Sequence, residues 1–286
     1  MKSLVFLLLM LSSILANAID LQPGEIKAPS GSFYAAQISY LYVEKGDKYT
    51  HGIKTSNSSN ITQNAMLLRL DHALEINHIP AYAYVQSSFS HMENRDLPGS
   101  IPNAHSNGIG DTTFAFALWP YVNREKDEYF GVAGYLLLPT GDYDRNRAIN
   151  IGSNIYQGAI QAGYQRKLTS NINWMVAQDV IVSGNNNEFL GHNKLEKNPL
   201  YNFQTGLQYV FNPTYSMSLG YFYTVGGESS INGLDQGDIT KIHRYQLTGQ
   251  ANYSFGRFAI QYGSEFANQN GFIEDHRLIV RYGWKL

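Results

Sequence analysis

Met66-Leu67-Leu68-Arg69-Leu70-Asp71-His72-Ala73-Leu74-Glu75-Ile76 decides the fold. Its even positions are mostly apolar, while Arg69, Asp71 and Glu75 fall on the odd positions. Wound as a helix, these residues would scatter charge around several sides and leave no apolar stripe. As a strand they separate into one apolar and one polar face, because successive side chains point to opposite sides.

The same period of two recurs outward from this stretch. Tyr201, Phe203, Leu207, Tyr209 and Phe211 oppose Asn202, Gln204, Gly206 and Gln208, and Tyr215, Met217, Leu219, Tyr221 and Tyr223 oppose Ser216, Ser218 and Gly220. Further on, His243, Tyr245, Leu247, Ala251 and Tyr253 oppose Arg244, Gln246, Thr248, Gln250 and Asn252, and Leu278, Val280, Tyr282, Trp284 and Leu286 oppose Arg281, Gly283 and Lys285. The polar faces hold mostly Gln, Asn, Ser and Thr, and the apolar faces are rich in Tyr. A soluble sandwich would instead show charged residues outside and aliphatics inside. Tyr-rich apolar faces suit strands that end in interfacial aromatic girdles.

Strands are expected near 32–43, 61–76, 81–91, 110–121, 129–139, 156–168, 172–183, 200–211, 215–225, 241–254, 258–268 and 276–286. Each is long enough to cross a bilayer when tilted, which takes roughly 9–11 residues. Short connections at 77–80, 123–127, 169–171, 212–214 and 255–257 alternate with longer ones near 44–60, 92–109, 140–155, 184–199, 226–240 and 269–275. Short turns on one side and long loops on the other, with an even strand count, define the layout of bacterial outer-membrane barrels. The fold class is therefore all-β: a closed antiparallel transmembrane β-barrel of about twelve strands, with both termini on the periplasmic side. The final Tyr282-Gly283-Trp284-Lys285-Leu286 resembles the C-terminal assembly signal of such barrels, with Leu286 where Phe is more usual.

Composition agrees. Of 286 residues 15% are charged, against about 25% in a typical soluble domain. The net charge of −2 offers no basic field for nucleic acid, and the absence of Cys removes disulfides, thiolate nucleophiles and Cys-ligated metals. Lys2, the apolar run Leu4 to Leu15 and Ala16-Asn17-Ala18 read as a cleavable secretory signal over 1–18. Residues 19–31 carry Pro23, Gly24, Pro29 and Gly31, which disfavour regular structure, so they are expected as a periplasmic segment or as a plug folded into the bore. The barrel itself is expected over 32–286.

Three stretches carry a family resemblance: Ala28-Pro29-Ser30-Gly31-Ser32-Phe33-Tyr34, then Gly108-Ile109-Gly110-Asp111-Thr112, then Leu138-Pro139-Thr140-Gly141-Asp142-Tyr143-Asp144 followed by Asn150-Ile151-Gly152-Ser153-Asn154. Together they resemble the MetA-pathway of phenol degradation family, a group of outer-membrane channel proteins. The resemblance implies a barrel for passive uptake of aromatic or other small hydrophobic compounds. Physically, Gly110, Asp111, Pro139, Gly141, Asp142 and Asp144 gather at the outer ends of neighbouring strands. Asp111, Asp142 and Asp144 could pair with Arg145 and Arg147 and fold a loop over the pore, or these residues could act simply as turn formers.

Lumen chemistry is the remaining source of function. The candidate path residues are Arg69, Asp71, Glu75, Arg244, Glu265 and Arg281, with Gln161, Gln165, Gln204, Gln208, Gln246, Gln250 and Gln261 on the same inner faces. The mixed signs predict no strong ion preference. A barrel of this size has a narrow bore, so opposed charges are expected either to bridge it or to serve as structural pairs. Tyr82 and Tyr84 would give an aromatic-lined passage if their face points inward. Asn103-Ala104-His105-Ser106-Asn107-Gly108 resembles a stretch of outer-membrane phospholipase A, but adjacent His105 and Ser106 on a strand point to opposite faces. The reading is thus a non-enzymatic barrel without cofactor or metal, in the outer membrane of a Gram-negative cell. Its expected partners are membrane lipid, the barrel assembly machinery and a small solute. The alternative is a non-transporting surface barrel whose loops bind partners.

Overall fold

The structure is a computed structural model that describes residues 20–56, 61–94, 105–147 and 149–286. The expected signal sequence over 1–18 lies outside the described residues.

The chain forms β1 (Phe33–Thr50), β2 (Ile53–Ser56), β3 (Ile61–Ile76), β4 (Ile79–Asn94), β5 (His105–Ile109), β6 (Thr112–Asn123), β7 (Glu128–Leu138), β8 (Gln157–Lys167) and β9 (Ile172–Ser183). The second half forms β10 (Asn186–Phe189), β11 (Asn193–Lys197), β12 (Leu200–Val210), β13 (Tyr215–Gly226), β14 (Ser229–Ile231), β15 (Leu234–Asp235), β16 (Thr240–Tyr253), β17 (Gly256–Asn268) and β18 (Gly271–Lys285). Twelve long strands pair antiparallel in the order β1, β3, β4, β6, β7, β8, β9, β12, β13, β16, β17, β18, and β18 returns to β1 to close the barrel. Closure is what a spanning sheet requires, since lipid offers no partner to an open edge. The Ala35–Lys285 to Glu44–His276 register completes it.

The period-two pattern sets which face meets lipid. Along β3, Met66, Leu68 and Leu70 are exposed on the outer surface while Ala65, Asp71 and Ala73 are buried. At the periplasmic end Tyr215, Tyr253, Phe255 and Phe258 form a contiguous aromatic cluster, and Tyr282 stacks on Trp284. Rings with a polar tip and an apolar body sit well at that depth.

The turns follow the expected alternation with two corrections. β3 and β4 join through Asn77-His78, both at positive φ, as a two-residue hairpin turn needs. The expected long loop near 269–275 is instead a two-residue turn at Gln269-Asn270, and β1 runs to Thr50 instead of ending near 43. These extensions project beyond the apolar belt, where the outer face has no lipid to match. Register shifts at Glu44/Lys45 and Lys45/Lys48 further break the alternation. The loops 184–199 and 226–240 fold into their own small sheet, β10-β11-β14-β15.

Candidate functional site

Residues 20–31 lie inside the barrel and reach across it. Asp20 pairs with Arg244 of β16. The Leu21 N–H donates to Gln204 Oε1 at 3.0 Å, and the Pro23 carbonyl accepts from Gln250 Nε2 at 3.1 Å and from an Arg257 guanidinium nitrogen at 2.8 Å. The Gln-rich inner faces of β12 and β16 thus have a physical purpose. A segment rich in Pro and Gly makes no ladder, so its backbone groups need side-chain partners when buried. Long amides supply both a donor and an acceptor for that task. Ile26 and Ala28 then pack with Trp119, Tyr129, Met175 and Ala177 into an apolar core inside the barrel.

At the periplasmic mouth the segment is tied to the β6–β7 turn. The Trp119 indole N–H donates to the Ile26 carbonyl at 2.7 Å, and Arg124 donates to the Pro29 carbonyl at 2.8 Å. Lys27 Nζ lies 2.8 Å from Asp127 Oδ1, which also accepts from the Tyr129 hydroxyl at 2.8 Å. Burial opposes the charge on Asp127, but the hydrogen bonds from Lys27 and Tyr129 outweigh it and hold the carboxyl below its ordinary range.

The segment packs against one side of the bore and leaves a cavity of about 700 Å³ on the other. Residues from the outer end (Ser90, Gly110, Asp111) and from the periplasmic end (Phe33, Gly256, Lys285) line the same cavity. At its waist stands Arg69. Its guanidinium lies 4.0 Å from the Tyr84 ring centroid, its Nε is 2.5 Å from Asp71 Oδ1, and Glu25 of the inserted segment is 3.5 Å away. Tyr82 also lines this wall, so the Tyr face of β4 points inward. Tyr135 stands edge-on to Tyr84 and donates to Gln161 Oε1 at 2.8 Å.

The six candidate path residues separate into three groups. Arg69, Asp71 and Arg281 line the cavity. Arg244 and Glu265 face the interior away from it. Glu265 accepts hydrogen bonds from the Glu274 N–H at 3.0 Å and from Asn268 Nδ2 at 3.2 Å, and it continues the inner parity of Ala259, Gln261 and Gly263 on β17. Glu75 shares the inner parity of β3 but is exposed beside the Asn77-His78 turn, outside the cavity lining. Opposed charges do bridge the bore, but through the inserted segment: Asp20 and Glu25 supply carboxylates to Arg244 and Arg69.

The outer motif residues converge as well. Asp111 Oδ1 accepts the Gly141 N–H at 2.9 Å, and its Oδ2 accepts the Ser153 N–H at 2.8 Å and hydroxyl at 2.5 Å. Asp142 Oδ2 accepts the Ile109 N–H at 2.7 Å. Gly141 and Gly152 lie back to back: a Cβ on Gly152 would come within 2.6 Å of the Gly141 carbonyl carbon. Of the pairings considered from sequence, Asp144 meets Arg147 at 3.4 Å, whereas Arg145 meets Glu188 at 3.6 Å. Asp111 and Asp142 are spent on backbone donors, which ties the 140–155 loop to the barrel rim. Pro139 ends β7 and Gly110 lies at the β5–β6 junction. His105 and Ser106 project to opposite sides of β5, with Ser106 buried and His105 exposed.

Residues 29–282, nearly all of the barrel and the motifs just described, match one family model. The chain belongs to the MetA-pathway of phenol degradation family. Within that family's fold it is similar to the crystal structure of an outer membrane channel from Pseudomonas putida F1. The TM-score is 0.88 at 25% identity, covering 93% of this chain and 100% of that one. More distant likenesses bear on fold alone. The β domain of the Bordetella autotransporter BrkA has a TM-score of 0.53 at 9% identity, covering 88% of this chain and 99% of that one. A deletion mutant of the monoaromatic hydrocarbon channel TodX has 0.51 at 10%, covering 93% of each chain. No curated protein matches the sequence at a significant level. The phenol-degradation family barrel is thus an outer-membrane barrel. Its sequence reading did not single out Asp20, Glu25, Trp119 or Tyr135. Trp119 carried a signal: it is the one bulky residue on an inner face of β6 otherwise built from Thr113, Ala115 and Ala117.

Proposed function

We propose that this barrel is a channel for passive uptake of small hydrophobic or aromatic compounds across the outer membrane. The observation that carries the reading is a cavity with lining residues at both ends of the barrel, walled at its waist by Tyr82, Tyr84 and Tyr135. Aromatic rings give a flat solute apolar contact and ring-stacking geometry, while their hydroxyls and Arg69 admit one polar substituent. Likeness to an outer membrane channel supports it. Arg69, Asp71 and Arg281 belong to the solute path in this reading. Arg244 and Glu265 hold the interior together, and residues 20–31 act as an inserted plug that narrows the bore. Export by a cleavable signal over 1–18 and recognition of the β18 end by the barrel assembly machinery complete the same picture.

The test uses vesicles whose outer leaflet is lipopolysaccharide, which slows apolar solutes. Purified protein should speed benzyl alcohol entry several-fold over protein-free vesicles. Equal rates would sink the channel reading.

A further inference from the structure

Among the described residues five arginines face the barrel interior: Arg69, Arg244, Arg257, Arg277 and Arg281. Four are engaged. Arg69 pairs with Asp71 and Glu25, Arg244 with Asp20, Arg277 with Glu274, and Arg257 donates to the Pro23 carbonyl. Arg281 differs, because it makes no hydrogen bond or ion pair among the described residues. Its Nε is shielded from solvent and unpartnered, and its side chain lines the cavity. Glu25 and Asp20 act on it at longer range, but both are committed to the other arginines.

A half-buried guanidinium with no ion-pair partner is costly to keep in the bore, and an anion entering the cavity beside it would offset that cost. Its neighbours in register, Ser39 on β1 and Ala259 on β17, are small and uncharged, which leaves the guanidinium accessible from the cavity. Arg277 lies four residues outward on β18, roughly 13 Å along the strand. Arg257 pairs with Gly283, two residues inward. The β17–β18 wall therefore carries a row of guanidinium groups that lines the same cavity as Tyr82, Tyr84 and Tyr135.

The geometry points to a more specific solute class: an aromatic or otherwise apolar body bearing one carboxylate, the carboxylate held by Arg281 and the body by the tyrosine wall. This rests on the lumen being a solute path but specifies what the path prefers. A planar guanidinium fork matches carboxylate geometry with two parallel hydrogen bonds.

Binding is measured by titrating benzoate and benzyl alcohol into the protein in uncharged detergent, following tyrosine and tryptophan fluorescence. Wild type should bind benzoate about tenfold tighter than benzyl alcohol, and Arg281→Gln should bind both alike. No preference in wild type, or a preference that survives Arg281→Gln, overturns the proposal. If Arg281→Gln loses the gel shift on heating that marks a folded barrel, Arg281→Lys decides. It should keep part of the preference, and raising the salt concentration should erode the wild-type preference; a salt-independent preference overturns the assignment. Faster benzyl alcohol entry without benzoate preference leaves the channel standing and removes the anion site. Benzoate preference without any flux does the reverse.

Discussion

Trp119 and Ile26, 93 positions apart in the chain, meet inside the barrel through a 2.7 Å hydrogen bond from the indole nitrogen to the backbone carbonyl. The bond fixes an irregular segment to a strand wall in a buried setting. Trp119→Phe keeps most of the apolar contact but leaves the Ile26 carbonyl without its donor. An orphaned buried acceptor costs about 1–3 kcal/mol. The inserted segment should therefore release more readily, seen as faster entry of small polar solutes into proteoliposomes and faster proteolysis near residue 26. Unchanged rates in both assays would mean the segment is held elsewhere.

The Lys27–Asp127 pair makes a second anchor with a defined pH response. The Asp127 carboxyl is held below its ordinary value of 3.8. Its contribution is complete above that value and is lost as pH falls through the lower folded value. Leak through the wild-type barrel should stay flat from pH 7 to pH 5 and rise only in stronger acid. Asp127→Asn should show the raised leak already at pH 7, since Lys27 then lacks its counter-charge.

Asp71 and Arg69 form an ion pair at 2.5 Å in the bore. Removing one partner of such a pair costs about 3–5 kcal/mol, whereas replacing both by apolar groups is often near neutral. Asp71→Ala should lower the denaturant midpoint of refolded barrel in lipid. Because Glu25 also pairs with Arg69, the triple variant Arg69→Met, Asp71→Leu and Glu25→Gln should recover most of that loss, and additive effects of the three changes would refute the coupling.

Asp111 organises the outer loop by accepting three hydrogen bonds from Gly141 and Ser153. Asp111→Ala orphans those donors, while Asp144→Ala breaks the half-exposed pair with Arg147 and one local hydrogen bond from the exposed Asn146 N–H. Surface pairs contribute about 0–1 kcal/mol. Limited proteolysis of intact cells should cut the 140–155 loop faster in Asp111→Ala and at the wild-type rate in Asp144→Ala.

Twelve strands, most of their lipid faces and the side of each turn were legible in the sequence because they depend on local rules, whereas the inward face of β4 was left open until the structure turned Tyr82 and Tyr84 into the bore. A strand whose two faces meet lipid and a polar lumen must alternate at period two, and Met66 to Ile76 cannot satisfy that as anything else. Where the outer face leaves lipid the rule lapses, which is why Phe272 and Ile273 of β18 were expected in a loop. The site was legible only in its wall residues. Arg69, Asp71 and Arg281 could be placed on inner faces by parity, but parity is blind to what crosses the bore. Only the tertiary structure brought Asp20 to Arg244, Glu25 to Arg69 and Ile26 to Trp119, and left Arg281 unpaired. Those pairings join a segment with no periodicity to strands up to 224 residues away, so closure of the barrel around the segment decides them.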